Sequence, residues 1–521
     1  MNAKKYTDTE RTALLRIFLE GNSMLILRRF IPTLSVSLAA LVGLAGAASA
    51  LTAEEVWKAW QDAAIAGDHP LDVTSIEVIP DGIRLTGLHT SLTVGTREVG
   101  VELDLITLQR APDDTVVVTL SEKPLLLISS GDRQARISME SQDLTAKVSG
   151  SPGRLNHEIM ADRAQIKLDA RRGNGAGDIP VEISLDLGRF SARSSQRDAQ
   201  DAEISVAMDS LDAILAAENP VSGSEIAGKL HLESISSSAS LHDFVDVDLS
   251  NLGPRVENGA AISSIITIGK TGYEIELSSG TVPEAAENLT GVFGETSFDM
   301  GLSPEGLRAK IAANGLEVSS RGFGFPPASG TLAGLDISLD MPLFPREEAV
   351  PAVLDVSLNK LAPSATMWGI FDSGAALDHS PLGMNILVSG LVKPLRSLLQ
   401  LPSEEESGFP LEVSNVDLNR ITVQALGATA EGTGALDFDY PSEESMFGLP
   451  LPEGVVDIKI SGLVPVLEAL SEAKLIQERE LDAARFFMAL FLEPAGDDGA
   501  FKTRIEANKE GEVLANGQRI R

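Results

Sequence analysis

The chain contains no cysteine in 521 residues. Disulfide staples and thiolate chemistry are therefore excluded. Aromatic residues make up 4 % of the chain, with three tryptophans and three tyrosines. That is too few for the aromatic girdles of an outer-membrane barrel, and few for a cleft that stacks sugars. Positive charge is also scarce: 42 Lys and Arg stand against 75 Asp and Glu, a formal net charge of −33. No basic run offsets it. Such a field repels nucleic acid and anionic lipid head groups, so no nucleic-acid partner is expected.

Recognisable chemistry is missing too. The histidines His69, His89, His157, His231, His242 and His379 lack the i, i+4 spacing of a metal-binding helix. Glu158 follows His157, but the second histidine of a zinc-protease helix is absent. No Gly-x-Ser-x-Gly elbow, P-loop or dinucleotide glycine fingerprint occurs. A Ser-His-Asp triad assembled from distant segments is recognised by geometry, so sequence leaves it open. Asp246 and Asp248, like Asp437 and Asp439, share strand faces, but no EF-hand glycine or terminal glutamate accompanies them. They are read as solvated acidic faces. No catalytic, cofactor-binding or metal-ligating residue is assigned. No cofactor is expected, and the chain is expected not to be an enzyme; an envelope hydrolase would lack any supporting motif.

What is present begins with an address. "MLILRRFIPTLSVSLAALVGLAGAASA" runs from Met24, with Arg28 and Arg29 ahead of an uncharged stretch. Its most apolar part, Leu34 to Ala45, suits a signal-peptide core better than a membrane span, which needs about twenty apolar residues. Ala48-Ser49-Ala50 offers small residues for cleavage after Ala50. The expected location is the periplasm, with no transmembrane span left after cleavage. The alternative is an inner-membrane anchor that is not cut. Residues 1–23 fit no signal sequence and read as a non-native extension before a start at Met24; the rival is a cytoplasmic extension before an anchor. Without residues 1–50 the net charge becomes −36. About 470 mature residues are ample for a sizeable core.

The dominant pattern after that is alternation with period two. In "GLDISLDMPL", Leu335, Ile337, Leu339 and Met341 face one side, and Asp336, Ser338 and Asp340 the other. "AVLDVSLNKL", "GALDFDY" and "VVDIKISG" repeat it. Strict alternation marks half-buried, mostly antiparallel strands. Helices are expected at about 53–65, 209–217, 365–372, 392–400 and 464–493, the last broken near Gln477. Thr52-Ala53-Glu54-Glu55 has the form of a capping box that opens the first.

An internal echo links "ILVSGLVKPLRSLL" at Ile386 with "IKISGLVPVLEAL" at Ile458. Each is expected to be a strand leading into a proline-opened helix. "AEISVAMDSLDAILAAE" is a weaker relative, with a helix from Asp209. Acidic linkers at Pro402 and Pro441, and "GFGFPPASG" at Gly322, punctuate the chain. The expected organisation is an N-terminal β-rich lobe, 51–325, and a C-terminal one, 326–521. The fold class is mainly β (α+β): extended, curved antiparallel sheet with a few short capping helices. The most apolar run beyond the signal is "FFMALFL". Phe486, Phe487, Met488, Leu490, Phe491 and Leu492 form either a buried helix capping the sheet or a partner-facing patch.

Four stretches carry a resemblance. They are "TAEEVWKAWQ" after the signal, "TMWGIFDSGAALDHSPLGMNILVSG", "GATAEGTGALDFD" and the closing "LANGQRIR". Together they resemble an alphaproteobacterial family of exported proteins known as a domain of unknown function, over about Leu51 to Arg521. The resemblance implies an envelope location and a large β-rich fold, and it carries no site residues. The alternating strands also look like those of AsmA-type envelope proteins, whose long sheets have an apolar groove associated with lipid movement. The functional expectation is an apolar concave sheet surface offered to a lipid or another envelope protein. The alternative is a structural or protein-binding module with a fully packed core.

Overall fold

A computed structural model describes residues 51–520, apart from 67–69, 95–96, 121–124, 131–132, 153, 173–180, 197–200, 219–222, 244–251, 280–281, 323–324, 400–409, 441–444, 447–448 and 497–498. The extension 1–23, the signal 24–50 with its cleavage site, His69, Asp246, Asp248 and the acidic linker at 402 lie outside the described residues.

The chain is mainly β, as its alternation requires. Twenty-seven strands form one antiparallel sheet, accompanied by five short helices among the described residues. The helices are α1 (Ala53–Ala66), α2 (Leu252–Glu257), α3 (Ala365–Phe371), α4 (Leu463–Glu472) and α5 (Glu478–Phe491). The capping box is formed: Thr52 N–H donates to Glu55 Oε2 at 2.9 Å and Glu55 N–H to Thr52 Oγ1 at 3.2 Å. The break near Gln477 is real, because Gln477 caps α5 and its own N–H is taken by Glu480 at 2.8 Å. The boundary between the expected lobes falls inside a hairpin. Gly306–Gly322 pairs with Phe325–Met341, and the ladder spans 325/326 through a register shift between Ser320 and Gly322.

Two expected helices do not form. Asp201–Glu218 is one continuous strand, paired along its length with Glu225–His242. The segment 392–399 is the end of strand Leu382–Pro394 followed by turns, and residue 400 lies outside the described residues. The echo therefore folds in two ways. In the second copy Gly462 takes the left-handed conformation, φ 75°, and α4 starts behind it. Pro465 is then the third helical residue, and the first helical bond, Val466 N–H to Gly462 carbonyl, still forms at 3.3 Å. In the first copy Lys393 is inserted, so Pro394 would be the fourth residue after Gly390. Its missing N–H would delete that first bond. The strand runs on instead.

A line of left-handed residues crosses the sheet. Gly87 (φ 61°), Ser234 (φ 51°), Gly315 (φ 59°) and Lys360 (φ 53°) each lie within a strand. The ladders omit each of them, together with its neighbours: Thr74 and Asp104 flank Gly87, Asp209 and Gly269 flank Ser234, and Ala333 lies between Gly315 and Lys360. Each left-handed residue flips the pleat by one position, and the neighbouring strands flip with it. Thus the sheltered apolar positions are Ile204, Val206 and Met208 on one side, then Leu211, Ala213 and Leu215. On Glu225–His242 they pass from Ile226, Leu230 and Leu232 to Ile235 and Leu241. Beside this seam short strands run as two tracks. Phe190–Gln196 pairs with 202–208 and Val181–Leu187 with 211–217 of the same long strand.

Full burial is concentrated at two places. One cluster joins Leu51, Val56, Trp57 and Trp60 around α1 to Ile83, Leu85, Ile106, Leu108 and Val116. The other joins Val256 of α2 to Leu302, Leu343 and Phe344.

Candidate functional site

Between these clusters the sheltered face of the sheet stays half-open. No apolar residue between Ala164 and Val256 is fully buried among the described residues. Across that region the registers align apolar side chains into rows perpendicular to the strands. One row reads Leu168, Ile183, Leu215, Gly228, Ile275, Leu289 and Ser320. The next reads Ile166, Leu185, Ala213, Leu230, Tyr273, Gly291 and Val318. Neither row contains a charged residue. With strands about 4.8 Å apart, seven positions span about 29 Å, close to the hydrocarbon thickness of a bilayer.

Glycine has a specific task in the second row. The Tyr273 ring lies directly over Gly291, where a Cβ would come within 2.2 Å of the ring. The ring fills the space left by Gly291 in the row, and Phe293 lies 5.8 Å away between ring centres. Burial pushes the Tyr273 phenol up.

The opposite face is polar. A shallow depression of about 680 Å³ is lined by Asp212, Lys229, His231, Glu274 and Glu317, with Ile214 and Val292 among them. His231 lies between Asp212 at 2.6 Å and Glu233 at 3.1 Å. These two hydrogen bonds, Asp212 first, hold its imidazolium above the ordinary range. Lys229 reaches Glu274 at 3.0 Å. His231 and Lys229 between them hold three acids, Asp212, Glu233 and Glu274. Among the described residues no group of three or more His, Asp or Glu side chains is arranged to hold a metal ion.

The loop after α3 contains an arrangement that spacing does not announce. Asp372 is buried, which alone would raise its carboxyl. It also accepts from the N–H groups of Leu377 (2.9 Å) and Ala376 (3.0 Å) and bonds His379 Nε2 at 2.8 Å, and these hold it below the usual carboxylate range. His379 stacks on Trp368 with ring centres 4.3 Å apart. The aspartate orders the loop and orients the histidine. The signal for it is "DSGAALDHS", but an Asp at i and His at i+7 has no fixed geometry until the loop folds.

Other residues singled out from sequence are placed as follows. His157 accepts from Trp60 Nε1 at 3.2 Å. His89 lies 4.0 Å from Glu102, and His242 bonds Asp201. Asp437 and Asp439 flank Phe438 at the end of strand Ala428–Phe438. The apolar run on α5 is not a buried cap. Phe486 and Phe487 are 64 % and 56 % exposed and Leu490 is also exposed, while Met488, Phe491 and Leu492 are half-buried. The helix turns inward through Leu481 instead. Leu395 is exposed, because the helix expected at 392–400, which would have turned it towards the sheet, does not form.

No helix among the described residues is long and apolar enough to cross a membrane. No family model, curated protein or solved structure matches the chain.

Proposed function

We propose that this is a non-enzymatic protein of the cell envelope that offers the half-open apolar face of its sheet to a lipid or comparable hydrophobic partner. The observation that carries this reading is the pair of uncharged rows between the α1 and α2 clusters, in which no described apolar residue is fully buried. A closed core would exclude water from such side chains; a surface awaiting apolar contact leaves them half-exposed. The acidic opposite face keeps the chain soluble. Aliphatic lining with one tyrosine suits flexible hydrocarbon better than an aromatic or sugar ligand. The likeness of the strands to those of AsmA-type envelope proteins agrees with this reading.

Lipid mass spectrometry on gently purified protein is the test. The wild-type chain should carry lipid. Leu215→Asp, within the first row, should lose it. Ile214→Asp, one residue away on the polar face, should retain it. Lipid-free protein that binds none in titration would sink the reading.

A further inference from the structure

The strand Asp72–Ile79 ends the sheet. Among the described residues its ladder runs on one side alone, to Gly82–Val94. Ile76 pairs there with Leu85, and Val78 with Ile83. Leu85 and Ile83 are fully buried in the α1 cluster. Ile76 and Val78 extend the same rows yet are 50 % and 79 % exposed. Among the described residues, the best-packed core of the molecule therefore runs off the edge of the sheet uncovered.

The edge is only lightly protected. "DVTSIEVI" contains no lysine or proline; its protection is two acids, Asp72 and Glu77, and the single position, Thr74, that the ladder omits at the seam. Natural edge strands are normally blunted by such features, because their open backbone groups pair with any passing strand. The other end of the chain is treated differently. It finishes in a hairpin of Val513–Ala515 and Gln518–Arg519, too short to offer a ladder.

We propose that Asp72–Ile79 is a dimer interface, pairing antiparallel with the same strand of a second copy. A two-fold axis normal to the sheet keeps each face aligned with itself, so the axis must pass through a residue. Centred on Ile76, it sets Ile76 opposite Ile76 of the partner subunit, Glu77 opposite Ser75 and Val78 opposite Thr74. No acid then faces an acid. Centred on Glu77, the pairing would oppose two glutamates, which is unfavourable. Centred on Ser75, it would set Val78 opposite Asp72. The Glu77 charge is compensated within its own chain by Arg84 at 3.0 Å. Because the same edge of both copies is used up in the two-fold contact, the assembly closes at two copies.

The absence of cysteine makes the test direct, since Ile76→Cys or Val78→Cys introduces the single thiol of the chain. Opposed residues of an antiparallel pair have Cα atoms about 4.5–5.5 Å apart, within disulfide reach. Under mild oxidation of the full chain, Ile76→Cys should cross-link to a dimer, and Val78→Cys, opposite Thr74, should not. In sedimentation the wild-type chain should run at twice its chain mass. Ile76→Lys should halve that mass with an unchanged circular dichroism spectrum. A wild-type monomer at every concentration would overturn the proposal, whether or not an added β-peptide binds the edge. So would a dimer that survives Ile76→Lys, or equal cross-linking at the two positions.

Discussion

The indole Nε1–H of Trp60 donates to Nε2 of His157 across 3.2 Å, tying α1 to a strand 97 residues further on. The other ring nitrogen, Nδ1, lies 3.3 Å from Ser194 Oγ. With Nε2 accepting, Nδ1 carries the proton and donates to the hydroxyl. Burial pushes this imidazole down to about 4 from its ordinary 6.5. The charged form is what the folded state disfavours.

A pH dependence follows. Between pH 6.5 and 4 the unfolded chain protonates His157 and the folded chain does not. Stability is therefore full above pH 6.5, falls as the pH drops towards 4, and levels off below. The whole loss from this residue is about 3 kcal/mol. His157→Gln keeps an acceptor for Trp60 without a titrating group. Denaturant unfolding at pH 7.5 and 4.5 should show a smaller difference for the variant than for wild type; equal differences would show that His157 is not the titrating group.

The seam makes a backbone prediction. Ser234 is left-handed, a conformation that costs a residue with a Cβ about 1–2 kcal/mol. Ser234→Gly should therefore be neutral or stabilising, by up to about 1 kcal/mol. Ser234→Val should cost about 2 kcal/mol, because a branched Cβ suffers most at positive φ. Ser236→Val, two residues along in regular strand, should be near neutral. Thermal unfolding of the three variants separates a backbone effect from a general intolerance of valine.

The seam also shows where sequence reading succeeded and failed. Period-two alternation at Leu335–Met341 and Val456–Ile460 is a local consequence of the pleat, so the β class was legible. The segment from Asp209 is expected as a helix, and the sheltered apolar residues around it, Met208, Leu211 and Leu215, stand three and then four apart. Those intervals arise from a pleat that flips once at Asp209, opposite Ser234. The flip depends on the neighbouring strands, which no single segment reveals. The echo at Ile386 failed for a smaller reason, one inserted residue that moved a proline past the first turn. The apolar rows were not visible as rows. Each strand announces its dry side, but whether anything covers that side is decided by tertiary packing.

The loop after α3 should depend on Asp372. Asp372→Ala removes the acceptor shared by the Ala376 and Leu377 amides and by His379. Hydrogen exchange at those two amides should accelerate, and the Trp368–His379 stack should loosen, seen as a change in Trp368 fluorescence. The amide of Trp368, bonded to the Ser364 carbonyl within α3, should stay protected. Unchanged exchange at Ala376 and Leu377 would show that the loop is ordered by something else.

The second copy of the echo gives the last test, at two adjacent residues of one strand. Ile458 faces the sheltered side and is half-buried, paired between Gly432 and Thr503. Asp457 faces solvent, with Arg504 Nη1 at 3.5 Å. Burying an isoleucine fully makes truncation to alanine cost about 2–5 kcal/mol. Ile458 keeps part of its surface in water, so less apolar area is lost and the cost should fall to about 1–2 kcal/mol. Asp457→Ala removes an exposed ion pair and should cost about 0.5 kcal/mol or less. Glycine at position 432 leaves Ile458 without a facing side chain on that strand, and a Cβ there would meet Ile458 Cγ1 at 3.8 Å, an ordinary contact. Gly432→Ala should therefore add apolar contact to Ile458 and deepen the penalty of Ile458→Ala in the double variant. Denaturant unfolding of the two single variants, Gly432→Ala and the pair measures this coupling. Strict additivity, or equal costs at 457 and 458, would mean that Ile458 does not pack on this face.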